Sequence, residues 1–168
     1  ANSSVFIVTV PTPIKADNAP DLSLIEKGTQ MLAKVIKKGD IVVYESTVYP
    51  GVTDEICVPI LEAGSGLKIN TDFFVGYSPE RLSPGEKNRT ITKVVKVVSG
   101  STPEVCDFLA QLYGSIITAG VYKAATIKVA EAAKIVENVQ RDLNVALMNE
   151  LAIIFEKMNI STLDVIEA

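Results

Sequence analysis

The sequence predicts an α/β fold, the second half of a doubly wound parallel sheet followed by one long helix. Three features predict it. Short apolar runs alternate with amphipathic stretches of helical period as far as Val121. Several of those runs end in turns rich in Pro, Ser, Thr and Gly. From Ala124 the pattern becomes a single helical period of about 35 residues, roughly 50 Å long, more than a small sheet domain can hold.

The elements follow in order. Val5 to Val10 is an apolar run closed by Pro11-Thr12-Pro13, the pattern of a strand buried on both faces. Leu24/Ile25, Gly28, Met31/Leu32 and Val35/Ile36 recur at helical spacing, with Pro20-Asp21 before them and Gly39 as a stop. Ile41 to Glu45 is the next strand, and Gly51 to Ala63 reads as a helix kinked at Pro59. Phe73 to Tyr77 and Val94 to Ser99 are two further strands. Thr102 as N-cap, Pro103 at the first position and Glu104 in the first turn open a helix to Tyr113, and Gly114 ends it. A last strand is expected from Ser115 to Val121. Strand and helix alternation implies right-handed βαβ units and a parallel sheet. The long helix runs to Met158, and Asn159-Ile160-Ser161 reads as a stop followed by a new N-cap.

Composition narrows the function. At 168 residues and 48% hydrophobic content the chain can bury a core. A net charge of −4, no basic stripe and 6% aromatic residues argue against a nucleic-acid partner. The absence of histidine removes His-based triads and most zinc sites, so no metal is expected. Cys57 and Cys106 read as small core residues in a reducing compartment. No apolar stretch approaches the ~18 residues of a membrane span, and no membrane partner is expected. The first twenty residues carry no basic signal-peptide region, so the cytoplasm is the expected location.

Ligands of open parallel sheets bind at the carboxyl ends of the strands. Those ends read Val10-Pro11-Thr12-Pro13, then Glu45 to Gly51, then Gly76 to Gly85. Ser46 and Thr47 read either as a capping pair or as hydroxyls presented to a ligand ahead of a helix start. Glu80 and Arg81 read either as a surface ion pair or as a carboxylate that acts as a base or holds a water, with a guanidinium beside it. The polar stretch from Arg81 to Lys93 exceeds the usual connection and suggests a binding loop.

The most informative segment lies on the long helix. Glu131, Lys134, Asn138 and Arg141 are spaced three, four and three apart and share one face. The four read either as a solvated face or as a site in which Lys134, Asn138 and Arg141 are a donor set for an oxygen-rich ligand such as a sugar or phosphate. Ala132, Val136, Val139, Leu143 and Leu147 form another face, expected to carry the packing. No G-x-G-x-x-G follows the first strand, so the chain reads as the second half of a dinucleotide site.

The succession VPTP, PDLS, ESTVYPG, GYSPERLSPG, VVSGSTPE and AEAAKIVENVQRDLNVALMNELAIIFEKMNI closely resembles the UDP-glucose/GDP-mannose dehydrogenase family of nucleotide-sugar 6-dehydrogenases, over essentially the whole chain. PER-x-x-PG and K-x-x-x-N-x-x-R look most like the branch acting on UDP-N-acetylhexosamines. The resemblance implies a Rossmann-like sheet and an all-α central domain. It implies oxidation of the C6 alcohol of a UDP-sugar to a carboxylate with two NAD, through an aldehyde and a cysteine-linked thioester, in polysaccharide biosynthesis.

Carried over residue by residue, Val10, Pro11, Thr12, Ser46, Thr47 and Val48 line the nicotinamide side of the NAD site. Glu80 matches the glutamate of thioester hydrolysis or water activation, with Arg81 and Leu82 beside the substrate. Lys134 and Asn138 match the pair that stabilises charge at the C6 oxygen, and Arg141 a substrate contact. Thr47 is placed with Glu80, Lys134 and Asn138 among the catalytic candidates. Neither Cys57 nor Cys106 stands in the nucleophile's G-x-C-x-x-K-D-like motif.

The chain thus reads as an internal fragment, with residues 1–122 the carboxyl-side half of the NAD-binding domain and 123–168 the start of the central helical domain. It is expected to be inactive alone and to form a homodimer through the long helix. Two alternatives stand beside this. One is a 3-hydroxyacid dehydrogenase relative, against which PER-x-x-PG and ESTVYPG count. The other is a non-catalytic folding or dimerisation module.

Overall fold

A computed structural model describes residues 3–82 and 90–168. Its elements are β1 (Val5–Val8), α1 (Ser23–Ala33), β2 (Ile41–Tyr44), α2 (Val58–Ser65), β3 (Phe74–Tyr77), β4 (Lys96–Gly100), α3 (Pro103–Gly114), β5 (Val121–Lys123), α4 (Ile127–Lys157) and α5 (Thr162–Glu167). The five strands form one sheet in the order β1-β2-β3-β4-β5. β1, β2 and β3 are parallel, with Val8 opposite Tyr44 and Tyr44 opposite Tyr77. The α/β Rossmann-like class expected from the sequence holds, but the sheet is mixed. β4 runs antiparallel to β3, with Tyr77 opposite Ser99, and β5 is parallel to β4. The reason is the connection. A parallel return needs a crossover helix, and among the described residues between β3 and β4 there is only a 3₁₀ turn at Ile91–Lys93. The middle of the long connection expected there, 83–89, lies outside the described residues.

Side-chain alternation along the strands splits the interior into two layers. Val42, Tyr44, Val75, Tyr77 and Val97 pack with Ile25 and Ala33 of α1, Leu61 of α2, and Ile127 and Ala130 of α4. Val43 and Val98 pack on the other side against Val105, Leu109 and Tyr113 of α3. α3 lies very close to the sheet, since a Cβ on Gly100 would stand 2.5 Å from the Cys106 backbone nitrogen. In the first layer Thr29 is fully buried, its hydroxyl 2.7 Å from the Ile25 carbonyl and 3.0 Å from the Tyr44 hydroxyl, so neither group is stranded.

Two local expectations change. The kink expected at Pro59 is a change of helix type: Thr53–Cys57 form a turn of π-helix, with the Val58 N–H donating to the Thr53 carbonyl, before α2 begins. Proline has no N–H to donate and its ring strikes the carbonyl four residues back, so a wider turn just before it relieves both. The last strand is Val121–Lys123 rather than Ser115 to Val121. The chain after α3 keeps turning, the Ile116 and Ile117 N–H groups both donating to Tyr113, and Gly120 at φ +97° redirects it. At the other end of α3 the expected Thr102 cap is present, accepting from Val105 N at 3.3 Å. Asn159 at φ 56° and the Ser161 hydroxyl, accepting from Asp164 N at 3.3 Å, end α4 and open α5 as expected.

The chain divides into two compact units, Ala1–Lys134 and Ile135–Ala168. The first holds the sheet and the first eight residues of α4, where Ile127, Ala130, Glu131 and Lys134 are buried. The second holds the rest of α4 and α5. There the face expected to carry the packing is open: Val136, Val139, Leu143 and Leu147 are each more than half exposed. Helical spacing shows which residues share a face, and nothing within this unit is large enough to cover that one.

Candidate functional site

The carboxyl ends of β1 and β2 are stitched together through side chains. The Ser46 hydroxyl donates to the Val10 carbonyl at 2.6 Å, and the Thr12 hydroxyl to the Thr47 carbonyl at 2.7 Å. From β3, the Tyr77 hydroxyl donates to the Ser46 carbonyl at 3.1 Å. Val48 is buried, Val10, Thr12 and Thr47 are half-buried, and Pro11 is exposed. All six residues expected along a nicotinamide therefore come together at one edge. A capping role for Ser46 does not hold, because its hydroxyl is turned back to β1. Hydroxyls of Thr12 and Thr47 beside apolar Val10 and Val48 form a surface that suits an amide-bearing aromatic ring.

Glu80 lies just beyond β3 on the same edge. Its Oε1 accepts from the N–H groups of Arg81 at 2.6 Å and Leu82 at 2.7 Å, and its Oε2 stands 3.7 Å from Lys96 Nζ. The Arg81 guanidinium reaches the Val95 carbonyl at 3.2 Å. Lys96 has no counterpart among the sequence candidates. Only 4% exposed, it lies 3.5 Å from Glu45 and 5.2 Å from the centre of the Tyr113 ring, whose hydroxyl donates to Glu45 at 2.5 Å. Burial, and then the Glu45 partner, push the Tyr113 hydroxyl far above its usual range, so it stays a proton donor. Because β4 is antiparallel to β3, its first residue rather than its last reaches the ligand edge. In a sequence read as a parallel sheet, Lys96 sits at the wrong end to be noticed.

Glu131 is the other residue whose part in the site sequence reading left out. It is fully buried and accepts three hydrogen bonds, from Gly51 N at 2.6 Å, Thr53 N at 3.0 Å and Thr53 Oγ1 at 2.7 Å. Gly51 adopts φ +104°, a region that favours glycine, and a Cβ there would press on Glu55 at 3.0 Å. One turn earlier on α4, Lys128 pairs with Glu55 at 2.6 Å. Lys134, one turn later, is buried at 7% exposure. Asn138 and Arg141 belong to the second unit, where Asn138 is half-buried and Arg141 stands 3.7 Å from Glu137. The available signal for Glu131 was its type. An acid on a helix face otherwise carrying Lys, Asn and Arg suits a binding partner of backbone N–H groups better than a donor set.

The cysteines carry no nucleophile's environment. Burial pushes the Cys57 thiol up to about 11, and Cys106 is raised for the same first reason. No group of metal-ligating side chains occurs among the described residues.

A mixed Rossmann-like sheet with its polar residues gathered where the parallel strands end is the architecture of a dinucleotide-binding dehydrogenase domain. Residues 1–117 match the model of the UDP-glucose/GDP-mannose dehydrogenase family, NAD binding domain, and residues 128–168 that of the same family's central domain. The chain is 60% identical over 165 residues to a UDP-N-acetyl-D-glucosamine 6-dehydrogenase of Pseudomonas aeruginosa, covering 98% of the chain and 39% of that protein. It is 33% identical over 165 residues to a UDP-N-acetyl-D-mannosamine dehydrogenase of Pyrococcus horikoshii, covering 98% of the chain and 39% of that protein. Among solved structures, a GDP-mannose dehydrogenase from Pseudomonas aeruginosa superposes with a TM-score of 0.91 at 28% identity, covering 99% of this chain and 38% of that one. The chain belongs to the UDP-glucose/GDP-mannose dehydrogenase family. It spans about two fifths of the length of the curated relatives it matches.

Proposed function

We propose that this chain supplies the nicotinamide side of the NAD site and the first catalytic side chains of an enzyme that oxidises C6 of a UDP-N-acetylhexosamine to a carboxylate. The observations that carry the reading are the stitched strand ends with Glu80 on the same edge, and the burial of Lys134 within the same compact unit. UDP-N-acetylglucosamine is the first substrate to test, since relatives named for it are 55–60% identical and relatives named for the mannosamine sugar 32–34%.

Val10, Pro11, Thr12, Ser46, Thr47 and Val48 would hold the cofactor. The chemistry a bound NAD would supply is hydride acceptance from C6, once from the alcohol and once on the way to the acid. The chain's own residues manage charge and water. Lys134, with Asn138 one turn on in sequence, stabilises the negative charge that develops on the C6 oxygen. Thr47 orients the reacting end of the sugar. Glu80, its Oε1 held by two N–H groups, keeps Oε2 for a water that hydrolyses the thioester. Arg81, Leu82 and Arg141 bind the rest of the substrate. The thioester cysteine is assigned to neither Cys57 nor Cys106. The boundary between cofactor half and central helix falls at 122–123, the protein works in the cytoplasm, and its product feeds polysaccharide assembly.

The open apolar face of α4 is where two copies associate as a homodimer. A non-catalytic dimerisation module is the alternative. The decisive experiment mixes a full-length protein containing this chain with NAD and UDP-N-acetylglucosamine and follows NADH absorbance. Two NADH per sugar are expected, and a chain that dimerises but gives none is only a module. Light scattering checks association of the 168-residue chain, and a stable 18 kDa monomer at micromolar concentration argues against the homodimer.

A further inference from the structure

The start of the helical segment after β2 has no capping group of its own. Tyr49 is exposed and Pro50 carries no side-chain acceptor, yet the N–H groups of Gly51 and Thr53 point into the interior. Such donors are ordinarily satisfied by a Ser, Thr, Asp or Asn at the cap position. Here the acceptor comes from Glu131, 80 residues away in sequence from Gly51, and is fully buried. A buried carboxylate costs several kcal/mol unless paired or well hydrogen-bonded. A local cap would have been the less costly solution if capping were all that was needed. A long-range carboxylate does something a local cap cannot, which is to tie two distant segments in one geometry. Both its oxygens are engaged, Oε2 by Gly51 and Oε1 by Thr53 twice, so the side chain is fixed in position and orientation.

What lies at the two ends of this tie gives it meaning. On one side, Gly51 directly follows the Ser46–Pro50 turn that carries Thr47 and Val48. On the other, Lys134 follows Glu131 by three residues on α4, and both lie within the same compact unit. We propose that Glu131 is a positioning residue that sets Lys134 against the Thr47 turn, so that the lysine and the cofactor edge keep one fixed spacing. This rests on the functional reading above and adds a residue to it. Glu131 touches neither cofactor nor substrate, and acts through the Gly51–Thr53 backbone on one side and α4 on the other.

The test uses a full-length protein containing this chain, with Glu131→Gln, Lys134→Met and the double variant. An amide in place of the carboxylate puts a donor against a backbone donor. Displacing a catalytic group by about 1 Å costs about 100-fold, so Glu131→Gln should lower kcat by about that factor with KM for the UDP-sugar little changed. In the Lys134→Met background the same change should cost nothing further, because the group it positions is gone. An equal loss in both backgrounds, or a lowered Tm with kcat intact, would overturn the proposal. Thr53→Val removes one donor and should reproduce the effect at about tenfold, which keeps the test open if Glu131→Gln does not fold.

If Lys134→Met leaves turnover untouched, or the protein shows none, the functional reading has failed and hydrogen exchange judges the tie itself. Loss of the carboxylate should speed amide exchange in peptides covering 49–57 and 127–134 together. Faster exchange in 49–57 alone makes Glu131 a mere cap and refutes positioning.

Discussion

One helix, α4, contains two regions that treat the same alphabet in opposite ways. In its first eight residues the polar Glu131 and Lys134 are buried beside Ile127 and Ala130. From Val136 onwards one apolar face lies open, Val136 at 65%, Leu143 at 62% and Leu147 at 56% exposure. The periodicity is continuous across both. Helical spacing therefore identifies companions on a face, while what covers the face is decided by the elements packed against it. The buried polar end holds hydrogen-bond partners that burial makes obligatory, and the open apolar end holds surface that only another surface can satisfy.

The strongest way to break the comparison is to truncate Lys134. In a full-length protein, Lys134→Ala should lower kcat by about 10²- to 10³-fold, roughly 3 to 4 kcal/mol, with a much smaller rise in KM. Steady-state kinetics check it, and an unchanged kcat would make the buried end of α4 purely structural. Next, Ile127→Ala in the buried end should destabilise the 168-residue chain by about 3 kcal/mol, whereas Leu143→Ala should change the dilute chain by less than about 0.5 kcal/mol. Denaturant melts of the two variants side by side give the answer. A Leu143→Ala loss that grows with protein concentration would show that the open face is covered by a second copy.

A third prediction concerns pH. The Cys57 thiol is raised from 9.0 to about 11 by burial, so the unfolded chain ionises first as pH climbs. Its contribution to stability is complete below about pH 9 and is lost on rising through about pH 11, a change of roughly 2 to 3 kcal/mol. Buried Tyr44 and Tyr77 are raised as well and act in the same sense. Alkaline melts of the chain and of Cys57→Ala should show a shallower loss in the variant. The smallest effect is expected at Arg141. Its pair with Glu137 lies at 3.7 Å with side chains 39% and 20% exposed, worth about 0.5 kcal/mol or less. Arg141→Ala should leave the melt nearly unchanged and raise KM for the UDP-sugar. A shifted melt with KM unmoved would confine Arg141 to a structural role.

Much of this was legible in the sequence. The Thr102-Pro103-Glu104 start, the Asn159 stop and the Ser161 cap are local chemistry, and local chemistry is written in adjacent residues. The strand ends VPTP and ESTV announced a shared edge because strands of a parallel sheet end together. The reversal of β4 was not legible, since strand direction depends on how the connection returns and no residue of β4 encodes it. Lys96 was lost with it. Glu131 was placed on the right face but given no task, because its partners Gly51 and Thr53 are about 80 residues distant and are backbone groups as much as side chains.

The stitched strand ends have one more consequence, in the direction their protons point. A hydroxyl has a single hydrogen to give. Those of Ser46 and Thr12 are already spent on the Val10 and Thr47 carbonyls. Toward any further partner these two oxygens can only accept. A group that bonds to either oxygen must bring its own hydrogen, so these two positions discriminate by proton count before shape is consulted.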